Sequence, residues 1–563
     1  MDQVKGAAEA LLRLLRAQEE IAYSLLLERS FPAEAATFAM SVALLRKGRS
    51  LDEAAGASRA AYQSLDDSSR KQLDELRDTR AKLVELTMAG SSDTAELQHL
   101  ADHADEVEQA LAKQSAPLRA RRLLARPSEI VTRVAQALPP DGVFVEVVAF
   151  RPSAVRAPRQ DAGSGPQCYL ALILHRDASV RVVPLGPAAP IDQLVSDFRA
   201  QLTVDPKDGD DTHQVLTASE ALYHRVFEPL RAQFGKADKN IFLSLDSQLH
   251  LVPFAALFEG NQYLVETYQF TYLTSGRDLL RGEVGPRNST TVAMIANPEF
   301  IKGRARGPAL RSECDRRGLS MVPDRSQSGT HDAAPYRSFR LTSLCPLPGT
   351  VEETQDLRQL LPAVRVLLGT NATRQAFLGL RSPGILHVAT HGLFRRGTDD
   401  AAPGSRTEIE SDRAALLNSM LMLAGAGVKS NGEVVVQPDG VVTALDVAGM
   451  NLWGTQLVVL SACETGVGDV SNLGQGVYGL RRAVMIAGAE TLVTSLWKVD
   501  DRATRELMRR YYESLLAGHG RVEAMRETAD WMRRRRKHPY YWASFIVVGS
   551  RNPLVGIGID RKQ

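Results

Sequence analysis

Cysteine is scarce in this chain: four occur in 563 residues, Cys168, Cys314, Cys345 and Cys463, with no Cys-x-x-Cys pair. That spacing excludes the disulfide framework of small secreted domains, and reduced thiols in a cytoplasmic protein are the expectation. No run of about 18 apolar residues exists to span a bilayer, and the N-terminus lacks the basic-then-apolar pattern of a secretory signal. Charge of one sign is also missing. Sixty-eight basic residues face 66 acidic ones, a formal net charge of +2, which argues against nucleic acid or a membrane surface as partner. The length is too great for one compact core, so about two to four domains are expected.

Residues from about 5 to 137 read as helix almost throughout. Leu11, Leu12, Leu14, Leu15, Ile21, Leu25 and Leu26 recur at helical spacing, as do Leu73, Leu76, Leu83 and Leu86. Breaks fall at Phe31-Pro32, Gly48-Arg49-Ser50, Gly90-Ser91-Ser92 and Arg126-Pro127-Ser128. An antiparallel helical hairpin or solenoid fragment is expected over 1–138, without a 34-residue repeat. Pro139-Pro140-Asp141-Gly142 marks a boundary. Beyond it the pattern alternates strand and helix, which predicts an α/β fold with a mostly parallel sheet flanked by helices over 139–563. A first half covers about 139–300 and a second about 346–550. Residues 301–345 and 395–415 read as mobile surface loops. A solvated insertion explains the arginines of the first loop better than a docking site does.

Two apolar runs end in groups able to do chemistry. Ile385 to Thr390 is closed by His391-Gly392, and Leu457 to Leu460 by Ser461-Ala462-Cys463-Glu464-Thr465-Gly466. Continuous short apolar runs are expected as buried parallel strands. In such sheets reacting groups lie beyond the carboxyl ends of the strands, so an imidazole and a thiol can face one crevice. A thiol attacks only as thiolate and needs a base beside it. The competing reading makes Cys463 a small buried hydrophobe. His387 shares the strand with His391, but its mid-strand place reads as core. The Gly392 amide and that of Cys463 are candidates for the oxyanion.

These residues resemble the CHAT domain, a caspase-like cysteine peptidase domain of clan CD often found behind tetratricopeptide repeats. The resemblance rests on Leu386-His387-Val388-Ala389-Thr390-His391-Gly392 and Leu460-Ser461-Ala462-Cys463-Glu464-Thr465-Gly466. It continues in the segments 474–483, 495–501 and 538–543, and upstream in His250-Leu251-Val252-Pro253-Phe254-Ala255-Ala256-Leu257 and Leu347-Pro348-Gly349-Thr350-Val351-Glu352. It implies a caspase-like sheet, His391 as general base and Cys463 as nucleophile, with no cofactor and no metal. It further implies a protein substrate, a protein regulator, and a role in bacterial defence, cell death or signalling. The two residues stand 72 positions apart, against about 50 in caspases, which the 395–415 loop and a hairpin near Met420 to Val435 account for.

By the same resemblance the strand after the cysteine helix, Thr491 to Trp497, would pair with the substrate backbone as an added strand. Ser495, Trp497, Glu464, Asp469, Asp500 and Asp501 are then candidates for substrate binding. A carboxylate among them would favour Arg or Lys before the scissile bond, because a desolvated cation needs a partner. The competing reading makes Asp500 or Asp501 a helix cap. The run Arg533 to Lys537 reads as a solvated helix end, with Trp531, Tyr540, Tyr541 and Trp542 packed onto the last strand. Ser461 is no hydrolase nucleophile, since it lies outside a Gly-x-Ser-x-Gly elbow. A catalytically silent scaffold that binds partners through the helical region is the alternative to a peptidase.

Overall fold

The computed structural model describes residues 19–28, 32–47, 129–152, 165–206, 211–280, 290–301, 321–322, 340–341, 343–361, 363–394, 418–430, 433–461, 479–497 and 500–557, with isolated helical positions between 71 and 107 and at 416. Cys314, Cys463, Glu464, Asp469, most of 301–345 and all of 395–415 lie outside the described residues.

The helical region contributes α1 (Ala33–Arg46) and α2 (Ile130–Ala137). Three strands follow, β1 (Gly142–Phe150), β2 (Cys168–Leu174) and β3 (Val180–Pro187), then α3 (Ala188–Leu202), α4 (His213–Leu222), β4 (Asn240–Ser244), β5 (Gln269–Leu273) and β6 (Val292–Pro298). The later half supplies α5 (Pro348–Leu360), β7 (Val364–Gly369), β8 (Ile385–Ala389), β9 (Leu457–Leu460), β10 (Thr491–Ser495), α6 (Asp501–Leu516), α7 (Arg521–Arg533) and β11 (Phe545–Gly549).

All eleven strands form one sheet in the order β7-β6-β8-β9-β10-β11-β5-β4-β1-β2-β3. The fold is the expected mostly parallel sheet flanked by helices, built as two blocks. Strands β7, β6, β8, β9 and β10 are mutually parallel. β10 meets β11 antiparallel, and β11, β5, β4 and β1 form a second parallel set running the other way. The second block ends in the meander β1-β2-β3. Burial on both faces explains why β8, β9 and β10 are unbroken apolar runs.

Alternation on β1 shows how the helical region is held. Val143, Val145 and Val147 face the main core, while Phe144, Val148 and Phe150 pack with Ala39, Met40, Leu44 of α1 and Val131, Val134 of α2. By the period of two, Glu146 belongs to the second set and is fully buried. A buried carboxylate requires a partner, and Lys47, at the end of α1, places Nζ 2.6 Å from Glu146 Oε1 and donates to the Val147 carbonyl at 3.1 Å. The Ser244 hydroxyl donates to the same carboxylate oxygen at 2.8 Å. Arg277 donates to the carbonyls of Leu45 and Lys47 at 2.8 and 2.7 Å, capping the same helix end.

The run at the end of α7 is solvated as expected, with Arg534, Arg535 and Lys537 exposed, and two of its cations also stack on aromatic rings: Arg535 lies 3.8 Å from the Trp531 ring centroid and Arg536 4.7 Å from that of Tyr541. Trp542 and Tyr540 are buried as expected.

Burial pushes the Glu146 carboxyl above its ordinary value, and the Lys47 ammonium pulls it back. Above that raised value the folded state carries a charge it disfavours, so the residue costs stability as pH rises past the unfolded carboxyl value of about 4.3. Lys47→Met removes the compensation. We expect a loss of about 3–5 kcal/mol at pH 7, shrinking as pH is lowered toward 5, in denaturant unfolding curves at the two pH values.

Candidate active site

The site begins with the pairing of β8 and β9. Their parallel register sets Ile385 against Leu457 and Val388 against Leu460, and the Ser461 amide continues the ladder by donating to the Val388 carbonyl at 2.8 Å. Ala389 and Ser461 therefore leave the sheet at the same rim. Cys463 stands two residues beyond Ser461, a span of at most about 7 Å of chain.

The strand expected to run through Thr390 stops at Ala389. The Thr390 hydroxyl donates to the Met422 carbonyl, and His391–Phe394 starts a separate strand in a three-stranded sheet with Ser419–Met422 and Val441–Thr443. His391 lies opposite Met422 and Gly392 opposite Leu421, both buried. The His391 ring tilts against Phe300, with centroids 5.0 Å apart. Its Nε2 lies 2.8 Å from the backbone carbonyl of Cys345. A carbonyl can only accept, so Nε2 carries the proton, and the neutral ring has its lone pair on Nδ1.

The strap that supplies this carbonyl was not foreseen in the sequence. Residues 343–347 close over the end of β6, where the Leu347 amide donates to Asn297 Oδ1 at 2.9 Å. Leu344 is buried with Phe300, Met420 and Met422. The Leu347-Pro348-Gly349 motif then opens α5, and Gly349 is required by close approach: a Cβ there would sit 2.5 Å from Cβ of Asp501. Cys345 is half-buried and its sulfur is in a disulfide, which corrects the expectation of four reduced thiols. Cys168 carries a free thiol.

His387 is a core residue, as its place in mid-strand implied. It is 2% exposed, with Nδ1 3.1 Å from the Tyr512 hydroxyl of α6 and Nε2 3.1 Å from Glu353 Oε1 of α5. Burial holds the Tyr512 hydroxyl well above its ordinary value. This trio joins α5, β8 and α6 beneath the rim.

Over Leu492–Thr494, β10 is paired along both edges, with β9 on one side and β11 on the other. Ser495 and Trp497 are 4% and 3% exposed, and the Trp497 indole donates to the Tyr540 carbonyl at 3.1 Å. Asp500 caps α6 by accepting from the Ala503 amide at 3.0 Å, the cap reading weighed against substrate binding. Asp501 is exposed beside Gly349. The His250 to Leu257 motif is scaffold: the Tyr272 hydroxyl accepts from the Phe254 amide and donates to the Val252 carbonyl. Arg481, in the helical turns 479–486, donates to the His250 carbonyl. Among the described residues no group of three or more His, Cys, Asp or Glu side chains is disposed to hold a metal, and no helix is long and apolar enough to cross a membrane.

Tetratricopeptide repeat protein 28 of Homo sapiens is 26% identical over 333 residues, covering 55% of this chain but only 12% of that protein. The Mus musculus protein of the same name is 25% identical over 331 residues, with the same shares. Among solved structures, a chain of the Saccharomyces cerevisiae separase–securin complex matches 93% of this chain and 38% of its own length at 9% identity, with a TM-score of 0.39. The Arg-specific cysteine proteinase gingipain R (RgpB) matches 65% of this chain and 76% of its own at 10% identity, with a TM-score of 0.30. The CHAT domain family model matches residues 216–550, more than half of the chain. On the strength of that match, the chain belongs to the CHAT domain family.

Proposed function

We propose that the protein is a cysteine endopeptidase that cuts a protein partner, with His391 as general base and Cys463 as nucleophile. The observation that carries this reading is the bond from His391 Nε2 to the Cys345 carbonyl. It leaves Nδ1 as the basic nitrogen of a histidine at the rim where β9 also ends. Nδ1 would take the thiol proton, and the thiolate would attack the scissile carbonyl. The amides of Gly392 and Cys463 would hold the oxyanion, and water would release the acyl group. Pairing of β8 with β9 supports the meeting of the two residues by limiting how far Cys463 can stray from Ser461.

The division we assign is a helical region over 1–138 that engages the partner or a regulator, followed by the peptidase over 139–563. The substrate's residue before the scissile bond is assigned to the carboxylates of the cysteine segment, Glu464 and Asp469, joined by exposed Asp501. These favour Arg or Lys there. Placement in the cytoplasm rests on the scarcity and spacing of the cysteines, and a role in bacterial defence, cell death or signalling on the family resemblance alone. A catalytically silent scaffold differs from this reading in one measurable respect, cleavage.

Incubation of the reduced protein with a lysate, followed by sequencing of new N-termini, tests the activity. Wild type should generate cuts after Arg or Lys. Cys463→Ala should generate none while keeping the wild-type circular dichroism spectrum, and His391→Ala should lose roughly 10³-fold or more. Cutting by the Cys463→Ala variant would contradict the assignment, and uniform cutting after Asp would remove the acidic pocket. Histidine ¹⁵N NMR of the reduced protein near neutral pH should find His391 protonated at Nε2 with a bare Nδ1. The opposite tautomer would make Nε2 the base and contradict the assigned geometry.

A further inference from the structure

We propose that Asn297 is a positioning residue for His391. Its side chain holds the strap whose Cys345 carbonyl accepts from Nε2, and its backbone turns the chain that sets Phe300 against the same ring. The inference deepens the peptidase reading and rests on His391 as the general base.

Three observations single Asn297 out. It follows the last pair of the β6–β8 ladder, Ala296 against Ala389, at the level where β8 gives way to Thr390 and His391. It is skipped in the pairing of β6 with β7, where Leu368 faces Ala296 and Gly369 faces Pro298. Such one-residue bulges re-aim a chain beside functional sites. Its φ of 40° is left-handed, a conformation asparagine tolerates better than most residues, and one at odds with the extended backbone expected ahead of a proline. Backbone of this kind persists only where the surroundings over-determine it.

Two contacts of the His391 ring trace back to this residue. Along the chain, Asn297 opens the turn that delivers Phe300. The Glu299 amide on the Gly369 carbonyl and the Phe300 amide on the Pro298 carbonyl, both at 3.0 Å, close that turn, and the Phe300 ring then lies 5.0 Å from His391. Through space, Asn297 Oδ1 accepts the Leu347 amide at 2.9 Å. Leu347 is two residues past the carbonyl that lies 2.8 Å from His391 Nε2, and Pro346, with its φ fixed, stiffens the link between them. Leu344 is buried on the other side, so the strap is pinned before and after Cys345. With that carbonyl held, the imidazole keeps one orientation and Nδ1 one direction. A loosened ring transfers its proton more slowly but leaves substrate binding intact.

Substitutions separate backbone from side chain. Asn297→Asp keeps the acceptor and tolerates the left-handed backbone, whereas Asn297→Gly keeps the backbone and loses the acceptor. Both are compared with wild type in reduced full-length protein, because the disulfide at Cys345 would otherwise restrain the strap. ¹⁵N-edited NMR reads the His391 Nε2 proton, which a bond to a carbonyl protects from exchange with water. That proton should exchange within about threefold of the wild-type rate in Asn297→Asp, and about tenfold faster or more in Asn297→Gly. With a fluorogenic peptide amide carrying Arg next to the reporter, Asn297→Gly should lose about tenfold or more in kcat while KM stays within about twofold. An unchanged proton in Asn297→Gly, equal loss of protection in both variants, or a raised KM with kcat unchanged would each overturn the proposal. If wild type cuts no peptide while the proton responds as expected, the peptidase reading fails and the anchoring of His391 stands. If wild type cuts and the proton ignores Asn297→Gly, the peptidase reading stands and the role of Asn297 falls.

Discussion

The hydrogen bond from the Ser461 amide to the Val388 carbonyl is the constraint on which the site depends. It extends the β8–β9 ladder one residue past the strand and fixes where both chains depart from the sheet. A slip of one residue would turn every side chain of β9 to the opposite face. Apolar burial on both sides makes such a slip costly, since Leu457, Val458, Val459 and Leu460 are all buried. Packing thus sets the rim at which β8 and β9, far apart in sequence, end side by side.

A second level of control lies around the histidine. The Thr390 hydroxyl on the Met422 carbonyl breaks the strand, and the three-stranded sheet carries His391 away from the line of β8. Phe300 supports one side of the ring, and the Cys345 carbonyl fixes its tautomer. Beneath, His387 ties β8 to Glu353 and Tyr512 on the two covering helices. Two histidines four residues apart thus serve different ends: one is locked in the core, while the other holds a proton at a chosen nitrogen.

Much of this was legible in the sequence. The apolar runs 385–390 and 457–461 named their strands to within a residue, and mid-strand position correctly put His387 in the core. Other features carried no local signal. Nothing near Cys345 announces that its carbonyl will meet His391, because that contact spans 46 residues and depends on tertiary closure. Nor does the apolar pattern of Thr491–Ser495 reveal that β11 returns antiparallel to fill its second edge. The run looks the same whether its far side meets a strand of this chain or a substrate. Glu146 is a similar case: alternation on β1 placed it on a buried face, but only the end of α1 shows what neutralises it.

The most direct measurement is a crystal structure of the reduced protein treated with a peptidyl ketone carrying Lys or Arg next to the warhead. The account predicts a covalent bond to Cys463 Sγ, His391 Nδ1 within roughly 3–4 Å of the reacting centre, and the Gly392 amide turned toward the oxygen. Modification at another residue, or an imidazole farther from the Cys463 sulfur than a side chain can bridge, would contradict it.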